Sequence, residues 1–221
     1  MTQLALDLPA RPALGRGDFV VSPGAGPALA LLDGWGGWPA GRAALVGPEG
    51  AGKTHLAHVW ASAAGAEVAT GDRAGALAAA MARGEGPPAL ALEDAAPDGP
   101  DAETALFHLL NAAAEAGRPL LLTGRVPPAR WPAALPDLSS RLAATLVIDL
   151  PPPDDALLSA LLLKHFADRQ IAAPPALIAF LALRIERSAA AAQEAVARLD
   201  RAALERGRAV SVPLAREVLG L

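Results

Sequence analysis

The chain of 221 residues contains no cysteine. That absence removes disulfides, thiolate metal sites and a cysteine nucleophile from consideration, and it suits a reducing compartment. Lysine is almost missing as well: Lys53 and Lys164 stand against seventeen arginines, a ratio we attribute to GC-rich coding rather than to function. Positive charge is not in excess, because 23 Asp and Glu outweigh 19 Lys and Arg for a net charge of −4. A broad basic face for duplex DNA is therefore not expected, and any link to DNA is indirect. The longest charge-free apolar stretches, around Ile171 to Leu183 and before Asp33, fall short of a membrane span and are broken by proline. The N-terminus has neither the basic start nor the apolar core of a signal peptide. No internal repeat is visible, and a soluble cytoplasmic protein is the expectation. What the chain does have is apolar residues, 52% of the total, enough at this length for one good core or for a domain plus a small satellite.

Against that background one stretch stands out. Gly47-Pro48-Glu49-Gly50-Ala51-Gly52-Lys53-Thr54 fits the template G-x-x-x-x-G-K-[ST] at every fixed position. Glycines let such a loop close around an anion without Cβ clashes, so that successive N–H groups point at phosphates. Lys53 adds a full positive charge, Thr54 offers a hydroxyl to Mg²⁺, and the start of a helix adds its partial positive charge. The flanks agree. Ala43 to Val46 reads as a buried strand, and Leu56, Val59 and Trp60 share one helical face after it.

The remaining pattern alternates strand and helix up to residue 150. Strands are expected at Glu67–Thr70, Ala89–Asp94, Pro119–Gly124 and Thr145–Leu150, and helices at Lys53–Ala64, Arg73–Met81 and Asp101–Ala116. A helix-like run from Pro27 to Leu32 precedes Trp35 and Trp38, which are expected to pack rather than to stack on a base. The alternation predicts a parallel α/β sheet covered on both faces. After Pro151-Pro152-Pro153, the best domain boundary in the chain, everything reads helical: Asp154–Gln170, Pro175–Ile185, Ser188–Arg206 and Pro213–Leu219.

Two strand ends carry further chemistry. Glu93 and Asp94 close the third expected strand, where one carboxylate could hold Mg²⁺ through its waters and the second orient or deprotonate an attacking water. Thr123 closes the next strand with a hydroxyl able to bond a lytic water or a γ-phosphate. His55 and His58 lie one turn apart, with no third ligand near them in sequence. At the N-terminus, Gln3-Leu4-Ala5-Leu6-Asp7-Leu8 is followed by Pro9, Pro12, Gly15 and Gly17. It is either a short edge strand or a tethered peptide that docks in extended form on another protein.

Taken together, GPEGAGKTH, LALED, FHLLNAAAEAG, LLLTGRVPP, LPDLSSRL and RIERSAAAAQEAVARLDRAAL resemble the AAA+ module of the bacterial initiator DnaA over nearly the whole chain. The resemblance is strongest to the Hda family, short DnaA paralogues that inactivate DnaA. It implies an AAA+ phosphate-loop fold, a parallel sheet flanked by helices with a small all-helical lid. The division would be a clamp-binding peptide at residues 1–12, an α/β base at 13–150 and the lid at 151–221. It implies that Gly47, Gly50, Ala51, Gly52, Lys53, Thr54 and His55 hold ADP or ATP, with Phe19, Val20 and Val21 near the adenine. It further implies Mg²⁺ on Thr54 and Glu93, Glu93 and Asp94 as the acidic pair, Thr123 as the first sensor and Arg141 as an arginine finger. Gln3, Leu4, Leu6 and Leu8 would fill a groove on the DNA polymerase III sliding clamp.

This chain departs from the family pattern twice. The acidic pair usually begins with Asp, and here it begins with Glu93. The second-sensor arginine aligns with Ala190, so Arg187, one turn earlier, is the nearest candidate. The implied function is negative control of replication initiation: stimulated hydrolysis of DnaA-bound ATP by a protein attached to the DNA-loaded clamp, with weak hydrolysis of its own. DnaA and the clamp would be its partners, and homo-oligomers are left open. The rival readings are an AAA+ adaptor or helicase-loader-like ATPase with another replication partner, and a small-molecule phosphotransferase.

Overall fold

The computed structural model describes residues 26–221. The expected positions Gln3, Leu4, Leu6, Leu8, Phe19, Val20 and Val21 lie outside the described residues. Helix α1 (Gly26–Asp33) is followed by two short 3₁₀ turns, Trp35–Gly37 and Pro39–Gly41, and by strand β1 (Arg42–Val46). Then come α2 (Lys53–Ala64), β2 (Glu67–Thr70), α3 (Ala74–Ala82), β3 (Leu90–Glu93), α4 (Pro100–Glu115), β4 (Leu120–Gly124), α5 (Pro136–Ala143) and β5 (Leu146–Asp149). The lid is α6 (Asp155–Asp168), α7 (Pro175–Ala182), α8 (Ala189–Arg206) and α9 (Val212–Leu219).

The strands form one five-stranded sheet in the order β2-β3-β4-β1-β5, and every pairing is parallel. Parallel strands need crossover connections, which place helices on both faces. Because side chains alternate across a strand, β1 feeds both faces. Ala44 and Val46 join the core under α3, α4 and α5, whereas Ala43 and Leu45 join the core under α1 and α2. A third core, built on Leu158, Leu162, Phe166, Leu177, Leu181, Val196 and Leu199, belongs to the lid alone.

Local signals explain the helix ends. Gly65 takes a left-handed conformation (φ 64°) and stops α2, while Asp154, Ser188 and Ser211 cap α6, α8 and α9 through their side-chain oxygens. Trp38 stacks on Trp60 with ring centroids 5.4 Å apart and donates its Nε1–H to Leu31 O at 2.9 Å, so the tryptophans do pack. Among the described residues, no helix is long and apolar enough to cross a membrane.

One lid residue gives a pH test. Burial first, and then Arg169, hold the His165 imidazole below its usual range, partly opposed by Asp168. The unfolded chain takes up a proton near pH about 6.5, the folded lid only at lower pH. Across that window the unfolded state binds more protons, so stability falls as pH drops below about 6.5. We expect a lower melting temperature at pH 5.5 than at pH 7, and a smaller drop in His165→Gln. An equal drop in both proteins would remove His165 as the cause.

Candidate nucleotide site

The segments marked for phosphate chemistry leave one edge of the sheet. Strands β3, β4 and β1 are parallel neighbours, so the loops at their C-terminal ends emerge side by side. Gly47 to Gly52 leaves β1, Glu93 and Asp94 end β3, and Thr123 and Gly124 end β4. The structure thus brings together the loop, the acidic pair and the threonine hydroxyl.

The loop needs its glycines for different reasons. Gly47 lies against the backbone of Leu150, where a Cβ would stand 2.3 Å from the carbonyl oxygen. Gly50 takes φ 73°, and a Cβ there would stand 2.1 Å from Cβ of Ser188. Ala51 is buried, and Gly52 caps the start of α2. Lys53, the first residue of α2, folds back to donate from Nζ to Gly47 O at 2.9 Å and Pro48 O at 2.7 Å. Burial lowers the Lys53 ammonium from its usual range, opposed by the negative charge of Asp94, Glu49 and Glu93. A bound anion would supply the countercharge that offsets this desolvation. Thr54 is exposed beside Lys53, and His55 follows in the same turn.

Across the edge, Thr123 is 2% exposed and its Oγ1 accepts the Asp94 N–H at 3.1 Å. Asp94 sits at φ 48°, a left-handed backbone that costs a non-glycine residue about 1–2 kcal/mol. The Thr123 hydroxyl and carbonyl, the latter accepting from Ala95 N at 3.0 Å, hold that turn in place. Glu93 is half-buried and Asp94 exposed, so both carboxylates can face a ligand in the loop. Among the described residues, no group of three or more His, Cys, Asp or Glu could hold a metal ion. Mg²⁺ beside a nucleotide needs fewer protein ligands, since phosphate oxygens and waters complete its shell, and Thr54 with Glu93 suits that arrangement. The glycine cradle, the desolvated lysine and the facing acids fit a nucleoside di- or triphosphate.

The lid touches this site through Ser188 rather than Arg187. Ser188 is 4% exposed, and the next residue, Ala189, donates its N–H to Gly50 O at 3.2 Å. Arg187 is exposed and pairs with Asp155 at 2.6 Å. Arg141 is not brought to the loop. Its carbonyl lies by Arg42, at the opposite end of β1 from Gly47, and its guanidinium lies 5.9 Å from the Phe107 ring centroid on α4. Four strand rises of roughly 3.3 Å separate the two ends of β1, about 13 Å.

Three residues near these sites escaped the sequence reading. Ser188 stood only as the first residue of the expected helix Ser188–Arg206, and its contact with Gly50 spans two domains and left no local signal. Arg125 pairs with Glu49 of the loop at 2.7 Å. Arg42, just ahead of the apolar run of β1, is buried, and its position before Ala43 was the available clue.

The family model described as "Hda, lid domain" matches residues 154–219. Among solved structures, domain III of the Thermotoga maritima replication initiation protein DnaA is similar with a TM-score of 0.79 at 21% identity, covering 96% of this chain and 98% of that one. AMPPCP-bound DnaA from Aquifex aeolicus is similar with a TM-score of 0.71 at 15% identity, covering 88% of this chain and 67% of that one. The Thermotoga maritima RuvB Holliday junction branch migration motor follows at 0.61 and 18%, covering 81% and 61%. At these identities the likenesses show the fold, a parallel five-stranded base followed by a helical lid as in the DnaA and RuvB modules, and the family match covers the lid alone: residues 154–219 belong with the Hda lid domains.

Proposed function

We propose that this protein is a negative regulator of replication initiation that binds ADP or ATP with Mg²⁺ and promotes hydrolysis of ATP held by an adjacent DnaA. The observation that carries the reading is the separation of Arg141 from the chain's own phosphate loop by the length of β1. A guanidinium placed there is of little use to its own nucleotide and is available to a neighbour's. In this reading Lys53 and the loop amides, with His55 alongside, bind the chain's own phosphates, and Thr54 and Glu93 hold Mg²⁺. Asp94, the second carboxylate of the acidic pair, orients the attacking water, Thr123 senses the γ-phosphate position, and Arg187 would have to exchange Asp155 for phosphate to act as second sensor. The Ser188 contact with Gly50 supports the idea that loop occupancy sets the lid angle, and with it the surface offered to DnaA. Phe19, Val20 and Val21 would line the adenine.

The leucines of the N-terminal peptide, with Gln3, would tether the protein to the sliding clamp of DNA polymerase III in the cytoplasm, so that its link to DNA is indirect. Hydrolysis of DnaA-bound ATP on clamp-loaded DNA tests this directly. We expect Gln3→Ala with Leu4→Ala to slow it at least tenfold. Equal rates would return Gln3 to Leu8 to the edge-strand reading, and no acceleration by the wild-type protein would remove the regulatory function itself.

A further inference from the structure

Among the described residues, few polar side chains are buried: Arg42, Glu103, Thr123, Thr145 and Ser188. Burying such groups is costly unless they are bonded, so their partners show what the fold must hold still. Thr123 and Ser188 serve the nucleotide site. The other three, from three different parts of the chain, end on α5 or its flanks.

We infer that Arg42, Thr145 and Glu103 are positioning residues that fix α5, and with it Arg141, as a rigid mount for the finger. The inference rests on the proposed action of Arg141 on a neighbour's ATP. The C-terminal end of α5 is held most tightly. Arg42 donates from Nη2 to Arg141 O at 3.1 Å and from Nε to Thr145 Oγ1 at 3.2 Å. Thr145 Oγ1 in turn donates to Arg141 O at 2.9 Å. The carbonyl of the finger residue therefore accepts two side-chain bonds, one of them charge-assisted, where a helix end leaves carbonyls without intrahelical partners. Arg42 is 6% exposed and makes no ion pair among the described residues. Its full charge meets the negative end of α5 instead. At the other end, Glu103 of α4 accepts the N–H of Leu135, the residue that precedes α5. Leu138 and Leu142 pin the inner face between these points.

An eight-residue helix is too short to be stable by itself, so these contacts decide where it sits. Positioning matters for a finger, because displacement of about 1 Å can cost about a hundredfold in rate. Arg42 also opens the strand that ends in the phosphate loop, so β1 joins the chain's own nucleotide site to the mount of its finger.

The test compares Thr145→Val, which keeps the shape and loses the hydroxyl, with Thr145→Ser, which keeps the hydroxyl. The readouts are the maximal rate of hydrolysis of DnaA-bound ATP, the protein concentration giving half that rate, and the protein's own ADP affinity. We expect Thr145→Val to lower the maximal rate at least tenfold, with half-saturation and ADP affinity within twofold of wild type, and Thr145→Ser to stay within twofold throughout. A wild-type maximal rate for Thr145→Val, or equal losses for Val and Ser, overturns the inference. Should Thr145→Val lose ADP binding, and so its fold, Arg42→Lys decides: at least a fivefold lower maximal rate is expected, and a wild-type rate overturns the inference. Arg141→Ala run alongside separates the two levels. Full activity there overturns the finger and its mount together, whereas an inactive Arg141→Ala beside a fully active Thr145→Val overturns the mount alone.

Discussion

Arg141→Ala should remove about a thousandfold or more of the acceleration of DnaA-bound ATP hydrolysis, the lower end of the range for arginine fingers generally. A guanidinium beside a transferring phosphoryl group neutralises charge that develops in the transition state, so its loss appears in the rate and not in docking. Binding of the protein's own nucleotide should be unchanged, because Arg141 lies at the far end of β1 from Gly47. The competing account is a side chain with a local structural role. Among the described residues Arg141 makes no ion pair, and its half-buried guanidinium lies 5.9 Å from the Phe107 ring centroid, a contact worth about 0.5–2 kcal/mol. Arg141→Lys distinguishes the two. It keeps a cation near Phe107 but loses the planar fork that fits phosphate oxygens, so it should fail nearly as badly as alanine. Single-turnover hydrolysis with labelled ATP on DnaA measures both. A lysine variant at full rate would favour the local role.

Gly50→Ala should be the most damaging small substitution in the phosphate loop. The left-handed backbone (φ 73°) costs alanine about 1–2 kcal/mol. The added Cβ would also stand 2.1 Å from Cβ and 3.0 Å from Cα of Ser188, so the start of α8 has to move away. That movement breaks the Ala189 N–H bond to Gly50 O and disturbs the Ser188 cap, whose loss costs about 1 kcal/mol. The lid and the loop then separate, and ADP affinity should fall at least tenfold, about 1.4 kcal/mol. Titration calorimetry of ADP binding measures the loss. Adding Ser188→Gly removes the 2.1 Å contact with Cβ and leaves the 3.0 Å approach to Cα, the backbone strain and the lost cap, so the double variant should recover part of the affinity and no more. No recovery would mean that relief of the Cβ contact with the lid does not govern binding.

The uneven legibility of this chain follows from the range of its interactions. The loop Gly47–Thr54, the strand that feeds it and helix α2 are specified by residues adjacent in sequence, and the expected Lys53–Ala64 is the helix observed. The same holds for the lid helices, whose apolar spacing and capping serines are local signals. Strand order is not local: β1 pairs with β4 and β5, chosen by crossovers whose placement no short motif encodes. Helix α5 escaped because its eight residues offer only one apolar pair at helical spacing, Leu138 and Leu142, and the buried bonds from Arg42, Thr145 and Glu103 that fix its ends come from distant segments. At the site, Glu93, Asp94 and Thr123 were legible as polar strand exits. The left-handed turn at Asp94 and its bond to Thr123 were not, because a residue's neighbours across a sheet are invisible in its own segment. Arg187 was marked by distance along the chain from an aligned position, and its pairing with Asp155 of α6 depends on where the turn between α7 and α8 lies against α6.

The most direct test places labelled ATP on DnaA and unlabelled ADP on this protein, with clamp-loaded DNA, and follows the label alone. The account predicts that catalytic amounts of the ADP-bound protein convert the label to ADP, and that Arg141→Ala does not although it binds ADP normally. Label that is hydrolysed no faster than by DnaA alone, or equally fast with Arg141→Ala, would contradict it.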